Sequence, residues 1–256
     1  MKGKLQSITS KIWSVSAIVI ILIIWQAASA MEVVESYLLP APTDIAKAFI
    51  EEFPILMEHS AVTLSEAFIG LFFGVLSGFF MAVLMERFSF ANKALYPIII
   101  VSQTIPTVAI APLLVLWFGY EMAPKIILVA LTTFFPIVVG LLNGFKSADR
   151  DAINLLRAMG AKRIQIFRYI KLPAAMSHFF AGLKISASYA IVGAVISEWL
   201  GGFSGLGVYM TRVKKAFAFD KMFAVIFLIS FISLLLMWLV SFIQKKCMPW
   251  ETLKDD

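Results

Sequence analysis

Residues 143–177, NGFKSADRDAINLLRAMGAKRIQIFRYIKLPAAMS, form a polar and basic stretch between long apolar runs. Apart from the amino-terminal tail, this stretch is the most basic part of the chain. It is too long for a simple turn, and its periodicity predicts two short amphipathic helices joined by a turn. Two such helices beside apolar segments indicate a surface on which another protein docks.

The first predicted helix has clear start and stop signals. Asp149 or Asp151 can cap its beginning. We expect the helix to end at Gly160, because a left-handed position after a helix suits glycine best. Its apolar residues fall three apart on one face: Ile153, Leu156 and Met159.

The second predicted helix follows directly, and we expect Pro173 to close it, since proline removes a backbone donor. Its apolar residues share one face and its basic residues lie elsewhere. The apolar set is Ile164, Phe167 and Ile170, and the basic set is Lys162, Arg163, Arg168 and Lys171.

Composition places the chain in a membrane. Of its 256 residues 61% are hydrophobic and only 15% are charged, and its mean hydropathy is +0.90. Soluble proteins are about half apolar and about a quarter charged, so the sequence predicts an all-α integral membrane protein. The net charge of +6 follows from membrane topology and requires no nucleic acid.

Six apolar segments come close to the ~20 residues that a helix needs to cross the hydrocarbon core. With a cytoplasmic amino terminus, most lysines and arginines fall on the cytoplasmic side, including those of residues 143–177. This orientation puts both termini in the cytoplasm and the basic stretch between spans four and five. The six predicted spans are residues 13–30, 65–85, 96–117, 124–142, 179–200 and 222–242.

The first span and the segment after it allow more than one interpretation. Ala28-Ser29-Ala30 is typical of a signal-peptide cleavage site, although we expect the span to be retained. In the external segment, Thr43 is the expected cap of a helix that lies along the membrane interface. The apolar stripe of that helix is Ile45, Ala48 and Phe49.

Glycines in span two predict close helix packing. Gly70, Gly74 and Gly78 are spaced four apart, so they share one helical face that another helix can approach. A static contact and a contact that moves during transport both fit this pattern.

Span three carries the first candidate for a translocation pathway. Proline frees backbone carbonyls, which a membrane tolerates only against protein or a water-lined cavity. The alternative is a kinked structural helix whose hydroxyls bond to their own backbone. The candidate pathway residues here are Ser102, Gln103, Thr104, Pro106 and Thr107.

Span five adds Ser188, Tyr189 and Glu198 to the candidate pathway. Glu198 lies near the outer end, where it either pairs with a cation in the pathway or sits at the interface. The glycines of residues 201–207 predict a flexible external turn, at which a binding protein or an outer gate could act.

Motifs for catalysis are missing from the sequence. It contains no G-x-x-x-x-G-K-[ST] phosphate loop, no H-E-x-x-H and no G-x-S-x-G. We also predict no paired carboxylates in the spans and no metal site. The chain is therefore not expected to be an enzyme, to bind a cofactor or to hydrolyse ATP itself.

The basic stretch resembles a known loop. Gly160, Ile170 and Leu172-Pro173 match the later part of the cytoplasmic "EAA" loop of membrane subunits of binding-protein-dependent ABC importers. This chain has Asn154-Leu155-Leu156 where the family has Glu-Ala-Ala. The resemblance implies that this loop couples to an ATPase through Asn154, Leu155, Leu156, Gly160, Ala161, Arg163, Ile164, Phe167, Ile170, Leu172 and Pro173.

The same resemblance implies a six-span type I importer permease in a bacterial cytoplasmic membrane. Expected partners are a second copy of the chain, two cytoplasmic ATPase subunits that hydrolyse ATP, an external solute-binding protein and the lipid bilayer. Closure of the ATPases would push the loop helices as levers. A secondary transporter is the competing class, and it would need interior charges and inverted repeats.

Further segments are similar to particular importer groups. Leu39-Pro40-Ala41-Pro42 is similar to the sulfonate, nitrate and thiamine-precursor group. The runs at 181–185, 193–198 and 205–207 look most like permeases for pyrimidine thiamine precursors or riboflavin. The expected cargo is a small polar heterocycle, with sulfonate, taurine or nitrate as the alternative.

Overall fold

A computed structural model describes residues 2–31, 35 and 38–249. All regular structure in these residues is helical, and the chain divides into two compact units, Met1–Glu58 with Tyr209–Leu228 and His59–Val208 with Ile229–Asp256. Residues 250–256, which the sequence places in the cytoplasm, lie outside the described residues. The helices are α1 Lys2–Ala30, α2 Pro42–Glu51, α3 Phe53–Arg87, α4 Ser89–Ser102, α5 Thr107–Phe118, α6 Met122–Lys146, α7 Arg150–Ala158, α8 Arg163–Ile166, a π-helical turn Phe167–Lys171, α9 Leu172–Leu200, α10 Leu206–Lys215 and α11 Phe219–Cys247.

The first unit is held by contacts of α1 with α2 and with the start of α11. The Trp25 ring lies 5.8 Å from the Phe223 ring and 6.1 Å from the Phe227 ring, measured between centroids. Ser29 donates a hydrogen bond of 3.0 Å to the Leu39 carbonyl. Lys221 forms an ion pair with Glu52. Aromatic packing and a few polar contacts therefore fix this unit.

The start of α2 differs from the sequence prediction. Thr43 was expected to cap the helix, but α2 begins two residues earlier than this predicts, at Pro42, with Ala41 in the capping position. Proline suits a first helical position because its missing N–H would have no partner there. Thr43 instead contacts the side-chain amide of Gln26 at 3.3 Å. The predicted apolar stripe is turned inward, with Ile45 and Ala48 buried.

Glycines bring α3 against α6 in the second unit. A Cβ added to Gly70 would lie 2.5 Å from the Val129 side chain, and one added to Gly74 would lie 2.8 Å from the Ala130 carbonyl oxygen. At Gly78 the added carbon would meet Ile137 at 3.0 Å. The four-residue spacing thus places all three glycines on the face of α3 that touches α6.

Further glycines bring α6 against α9. A Cβ on Gly140 would lie 2.8 Å from the His178 carbonyl oxygen, and one on Gly144 would lie 2.6 Å from the Cα of Ala175. In the opposite direction, a Cβ on Gly182 would lie 2.5 Å from the Pro136 carbonyl oxygen. The backbones of α6 and α9 therefore touch along much of their length.

Four helical segments of the described residues are long and apolar enough to cross a membrane: Phe53–Arg87, Met122–Lys146, Arg163–Leu200 and Phe219–Cys247. A fifth span arises if α4 and α5 count as one. The apolar part of α1, Ser16–Ala30, is shorter than these. The six-span count therefore stays a prediction.

Span three was predicted over residues 96–117, and the structure divides this stretch between two helices. The chain breaks after Ser102, and α4 and α5 are bent by 98°. The physical reason lies in Pro106, which caps α5 with an extended backbone and cannot continue α4.

Pro173 was predicted to close the second loop helix, and this is wrong. The helix continues without a break from Arg163 to Leu200. Pro173 is tolerated in the first turn of α9, directly after the π-helical turn Phe167–Lys171. In a π-helical turn the backbone bonds run five residues back instead of four. The proline ring therefore does not meet the carbonyl with which it would clash inside an α-helix.

Candidate translocation pathway and coupling loop

A cavity of about 590 Å³ lies at the break between α4 and α5. One wall is residues 102–107, and the facing wall comes from α6 and α9, with Phe135 and Tyr189 among its residues. Six residues predicted from the sequence are thus brought together around this cavity: Ser102, Gln103, Thr104, Pro106, Thr107 and Tyr189.

The polar groups of this cavity fall into two kinds. Ser102 and Thr104 donate to the carbonyls of Ile98 and Val101, at 2.5 and 2.7 Å, as the alternative of a kinked structural helix predicted. The side chains of Gln103 and Thr107 have no hydrogen-bond partner among the described residues. Gln103 and Thr107, together with the Tyr189 hydroxyl of the facing wall, are therefore free to bind a solute.

Ser188 and Glu198 do not join the other candidate pathway residues. Neither is among the residues that line the cavity. Tyr189, Val192 and Ile196 line it from one face of α9, whereas Glu198 lies on the face of Ile191 and Ala194, which is buried. The assignment of Glu198 to the pathway or to an interface was wrong, because the residue is only 2% exposed and its carboxyl is bonded within the chain.

A cluster of buried charges surrounds Glu198, and the sequence reasoning missed it. Lys125 Nζ lies 2.7 Å from Glu66 Oε1, and the two residues are 4% and 1% exposed. The carboxyl groups of Glu66 and Glu198 are neighbours, since Thr63, one turn before Glu66 on α3, donates to Glu198. The prediction of no paired carboxylates in the spans is therefore wrong. The signal was present, since charged residues inside apolar spans must find partners.

The same cluster holds the glycine turn that precedes α10. Thr63 donates to Glu198 Oε1 at 2.7 Å and accepts from the Leu206 N–H at 2.9 Å. The Gly207 N–H donates to Glu198 Oε2 at 2.5 Å, and the Gly205 N–H donates to His59 Nδ1 at 2.9 Å. Three successive backbone donors are thus satisfied by buried side chains.

At the other end of α9, the loop of residues 143–177 has the local signals that the sequence predicted. Asp149 caps α7 by accepting from the Asp151 N–H at 2.8 Å. Gly160 has a φ of +81°, and the Ala161 N–H reaches back to the Leu156 carbonyl at 2.9 Å. These bonds form a Schellman motif, which satisfies the last carbonyls of the helix.

The apolar residues of the loop are largely uncovered. Leu155, Met159 and Ile164 are 63%, 73% and 67% exposed. The second helix was predicted to carry Ile164, Phe167 and Ile170 on one face. In the structure Ile164 is exposed, Phe167 and Ile170 are half-buried, and Ile166 is the buried residue. The short helix turns a different face inward because the π-helical turn shifts the register after Ile166.

Contacts with α6 and α3 attach the loop to the spans. The Phe167 ring lies 5.5 Å from the Phe145 ring of α6, and Lys171 forms an ion pair with Glu86 at the end of α3. Ile166 is buried. Of the other predicted loop residues, Leu156, Ala161, Ile170 and Leu172 are half-buried, and Asn154, Arg163 and Pro173 are exposed.

The comparisons with known proteins define the class. The profile of the family described as binding-protein-dependent transport system inner membrane component matches residues 74–248. The chain belongs to this family, and it is an inner-membrane permease subunit of an ABC importer and not an enzyme.

Individual relatives cover nearly the whole chain. The formylaminopyrimidine transport permease protein ThiX of Halalkalibacterium halodurans is 34% identical over 90% of this chain and 92% of its own length. The riboflavin transport system permease protein RibX of Chloroflexus aurantiacus is 29% identical over 91% and 88%. The putative aliphatic sulfonates transport permease protein SsuC of Bacillus subtilis is 28% identical over 91% and 85%.

Among solved structures, an inward-facing conformation of the MetNI methionine ABC transporter matches with a TM-score of 0.63. The match covers 77% of this chain and 97% of that one at 19% identity. At this identity the likeness shows the fold, which is that of a type I ABC importer permease.

Proposed function

We propose that this chain carries a small uncharged polar heterocycle, of the formylaminopyrimidine kind, through the cavity at the α4–α5 break. The observation that carries the proposal is the cavity lining. Six pathway residues predicted from the sequence meet there, and the Gln103 amide and Thr107 hydroxyl have no partner among the described residues. A solute would supply those partners.

The chemistry of the lining favours a flat heterocycle. The Gln103 amide both donates and accepts, as the edge of a pyrimidine does. Phe135 and Tyr189 offer aromatic faces on which a ring can stack. The name of the relative ThiX adds support.

A sulfonate or taurine is the second candidate, because the relative SsuC is named for aliphatic sulfonates. Among the described residues, the lining of this cavity contains no lysine, arginine or histidine. A compact anion buried without a cation is unfavourable, so the lining supports the heterocycle over the sulfonate.

A second copy of the chain would complete the pathway. The cavity is open on the single chain, and Val101, Val108 and Val192 around it are exposed apolar residues. Two copies related by a twofold axis would cover this surface and enclose the cavity.

The loop would bind the ATPase through the exposed surface of Leu155, Met159 and Ile164. Two ATPase subunits, one for each copy, would push α7 and α8 when they close on ATP. The push would reach the cavity through the continuous helix Arg163–Leu200, which carries Tyr189. An external solute-binding protein would deliver the solute at the opposite end, with both termini of the permease in the cytoplasm.

The test is uptake by proteoliposomes that contain the chain with the ATPase and the solute-binding protein of the same importer. We expect ATP-dependent uptake of a labelled formylaminopyrimidine, which excess unlabelled taurine does not inhibit. Inhibition by taurine, with no heterocycle uptake, would support the sulfonate. Uptake driven by an ion gradient without the ATPase would contradict the proposal.

A further inference from the structure

The buried carboxyl groups of Glu66 and Glu198 come from different helices. Glu66 lies on α3 and Glu198 on α9, 1% and 2% exposed, and they are neighbours because Thr63, one turn before Glu66, donates to Glu198. We propose that the two carboxyls form a proton-binding site, in which a single shared proton keeps the turn of residues 205–207 attached.

The charges around the site indicate one proton. Lys125 on α6 is the one cation facing the two carboxyls among the described residues, and its Nζ binds Glu66. His59 accepts from the Gly205 N–H through Nδ1, so this nitrogen carries no proton. Two ionised carboxylates would leave a net negative charge in the interior, whereas one proton makes the cluster neutral.

The hydrogen-bond donors around the two carboxyls indicate one proton independently of the charges. Both oxygens of Glu198 accept, from Thr63 and from Gly207, and Oε1 of Glu66 accepts from Lys125. Oε2 of Glu66 is buried and has no donor among the described residues. A proton on one of the two neighbouring carboxyls supplies the missing donor for Oε2.

The site controls the turn because the turn rests on Glu198. A Cβ on Gly207 would lie 2.9 Å from the Glu198 side chain, and a Cβ on Gly205 would overlap its carboxyl. Removal of the proton would place two carboxylates against each other, and their repulsion would push Glu198 away from Gly207. Loss of one proton therefore releases the end of α9 opposite to the basic loop.

The first experiment detects the proton. Infrared spectra of the purified full-length chain in lipid nanodiscs should contain, at neutral pH, a band of a protonated buried carboxylic acid. The band should disappear in both Glu66→Gln and Glu198→Gln. Absence of the band from the wild type, or its persistence in both variants, would overturn the proposal.

The second experiment separates the proton from mere packing. In Glu198→Gln the amide oxygen can accept from the Gly207 N–H, and the amide nitrogen can donate to Glu66 and to the Thr63 hydroxyl, whose own O–H then turns to the His59 carbonyl. The melting temperature should therefore stay near that of the wild type. Glu198→Ala should lower it strongly. Equal falls in melting temperature in the two variants would show that the shared proton does not stabilise the site.

The third experiment follows the turn itself. Cys247 is free and exposed, so it is replaced by serine, and Ser204→Cys then reports on the turn. Maleimide labelling, corrected for thiolate content, should rise several-fold at alkaline pH with Glu198 and stay constant with Glu198→Gln. A rise of equal size in both chains would contradict the release of the turn by deprotonation. All three readouts are independent of the transported solute, so failure of the heterocycle proposal would leave them unchanged.

Discussion

The two ends of the helix Arg163–Leu200 are built in opposite ways. At the end that carries Glu198, charged and polar groups are buried and bond to one another and to the glycine turn. At the end that carries Ile164, apolar side chains of the loop are exposed and only a few contacts attach the loop. The first end is completed within the chain, whereas we propose that the second is completed by a partner.

One continuous helix connects these two ends. At about 1.5 Å per residue, its 38 residues extend over about 57 Å. The cavity residue Tyr189 lies between the two ends. A movement imposed on the exposed end can therefore reach the solute cavity and the buried end along one rigid element.

The largest effect is expected from breaking the buried end. In Gly207→Val the new side chain would overlap Glu198, because even a Cβ would lie 2.9 Å from it. Overpacking and the loss of buried hydrogen bonds should cost about 3 kcal/mol or more. Thermal unfolding in detergent measures this, with the exposed Phe203→Leu in the same turn as control. A melting temperature equal to the wild type would show that the turn does not rest on Glu198.

The cavity between the two ends allows a matched pair of substitutions to be compared. Gln103→Ala removes a side chain without a partner among the described residues, whereas Ser102→Ala removes a hydroxyl that bonds to its own backbone. We expect Gln103→Ala to lower the uptake efficiency about tenfold, equivalent to about 1.4 kcal/mol, and Ser102→Ala to change it little. Initial uptake rates over a range of solute concentrations provide the measurement. Equal effects would remove the distinction between the two kinds of polar group.

Local signals were readable from the sequence at the exposed end. Asp149 and Gly160 cap α7 as predicted, because caps depend on only a few neighbouring residues. The apolar runs also predicted the main spans, and the polar residues beside Pro106 predicted the cavity wall. These features are local in the chain.

Long-range features were not readable. Glu66 and Lys125 are 59 positions apart, and nothing in the spacing of either shows that they pair. Pro106 breaks its span whereas Pro173 does not, because a π-helical turn precedes the second proline. The outcome at each proline depends on the surrounding packing, which periodicity does not contain.

A smaller effect is expected within the exposed end itself. Gly160→Ala forces a residue with a Cβ to a φ of +81°, although no atom lies within 4 Å of the new carbon. The cost should be backbone strain alone, about 1 kcal/mol, or a fall of about 2–4 °C in melting temperature. Lys162→Ala in the same turn is the control. A much larger fall would indicate that the loop is packed more tightly than its exposure implies.

The smallest effect concerns an ion pair of the first unit. The hydrogen bond from Lys221 holds the pKa of Glu52 below its usual range, against the effect of burial, with Tyr209 and the charge of Lys221 also lowering it. The stabilisation is therefore complete above the unfolded pKa of about 4.3, and it is lost as the pH falls through the lower folded pKa.

Glu52→Gln tests this contribution. It should remove less than about 1 kcal/mol at neutral pH, since such pairs are weak, and the variant should lose less stability than the wild type on acidification. Melting curves from neutral to acidic pH give both values. If Glu52→Gln and the wild type lose the same stability on acidification, that loss comes from other carboxyl groups.

The most direct test is whether the exposed loop surface of Leu155, Met159 and Ile164 retains the ATPase. In the double variant Leu155→Glu, Met159→Glu, two charges replace apolar side chains that lie on the loop surface. We predict that the variant folds with an unchanged melting temperature but loses co-purification of the ATPase at least tenfold, while Arg150→Gln on the same helix retains it. Full retention by the double variant, with wild-type stimulation of ATP hydrolysis by the binding protein, would contradict the assignment of this surface as the coupling site.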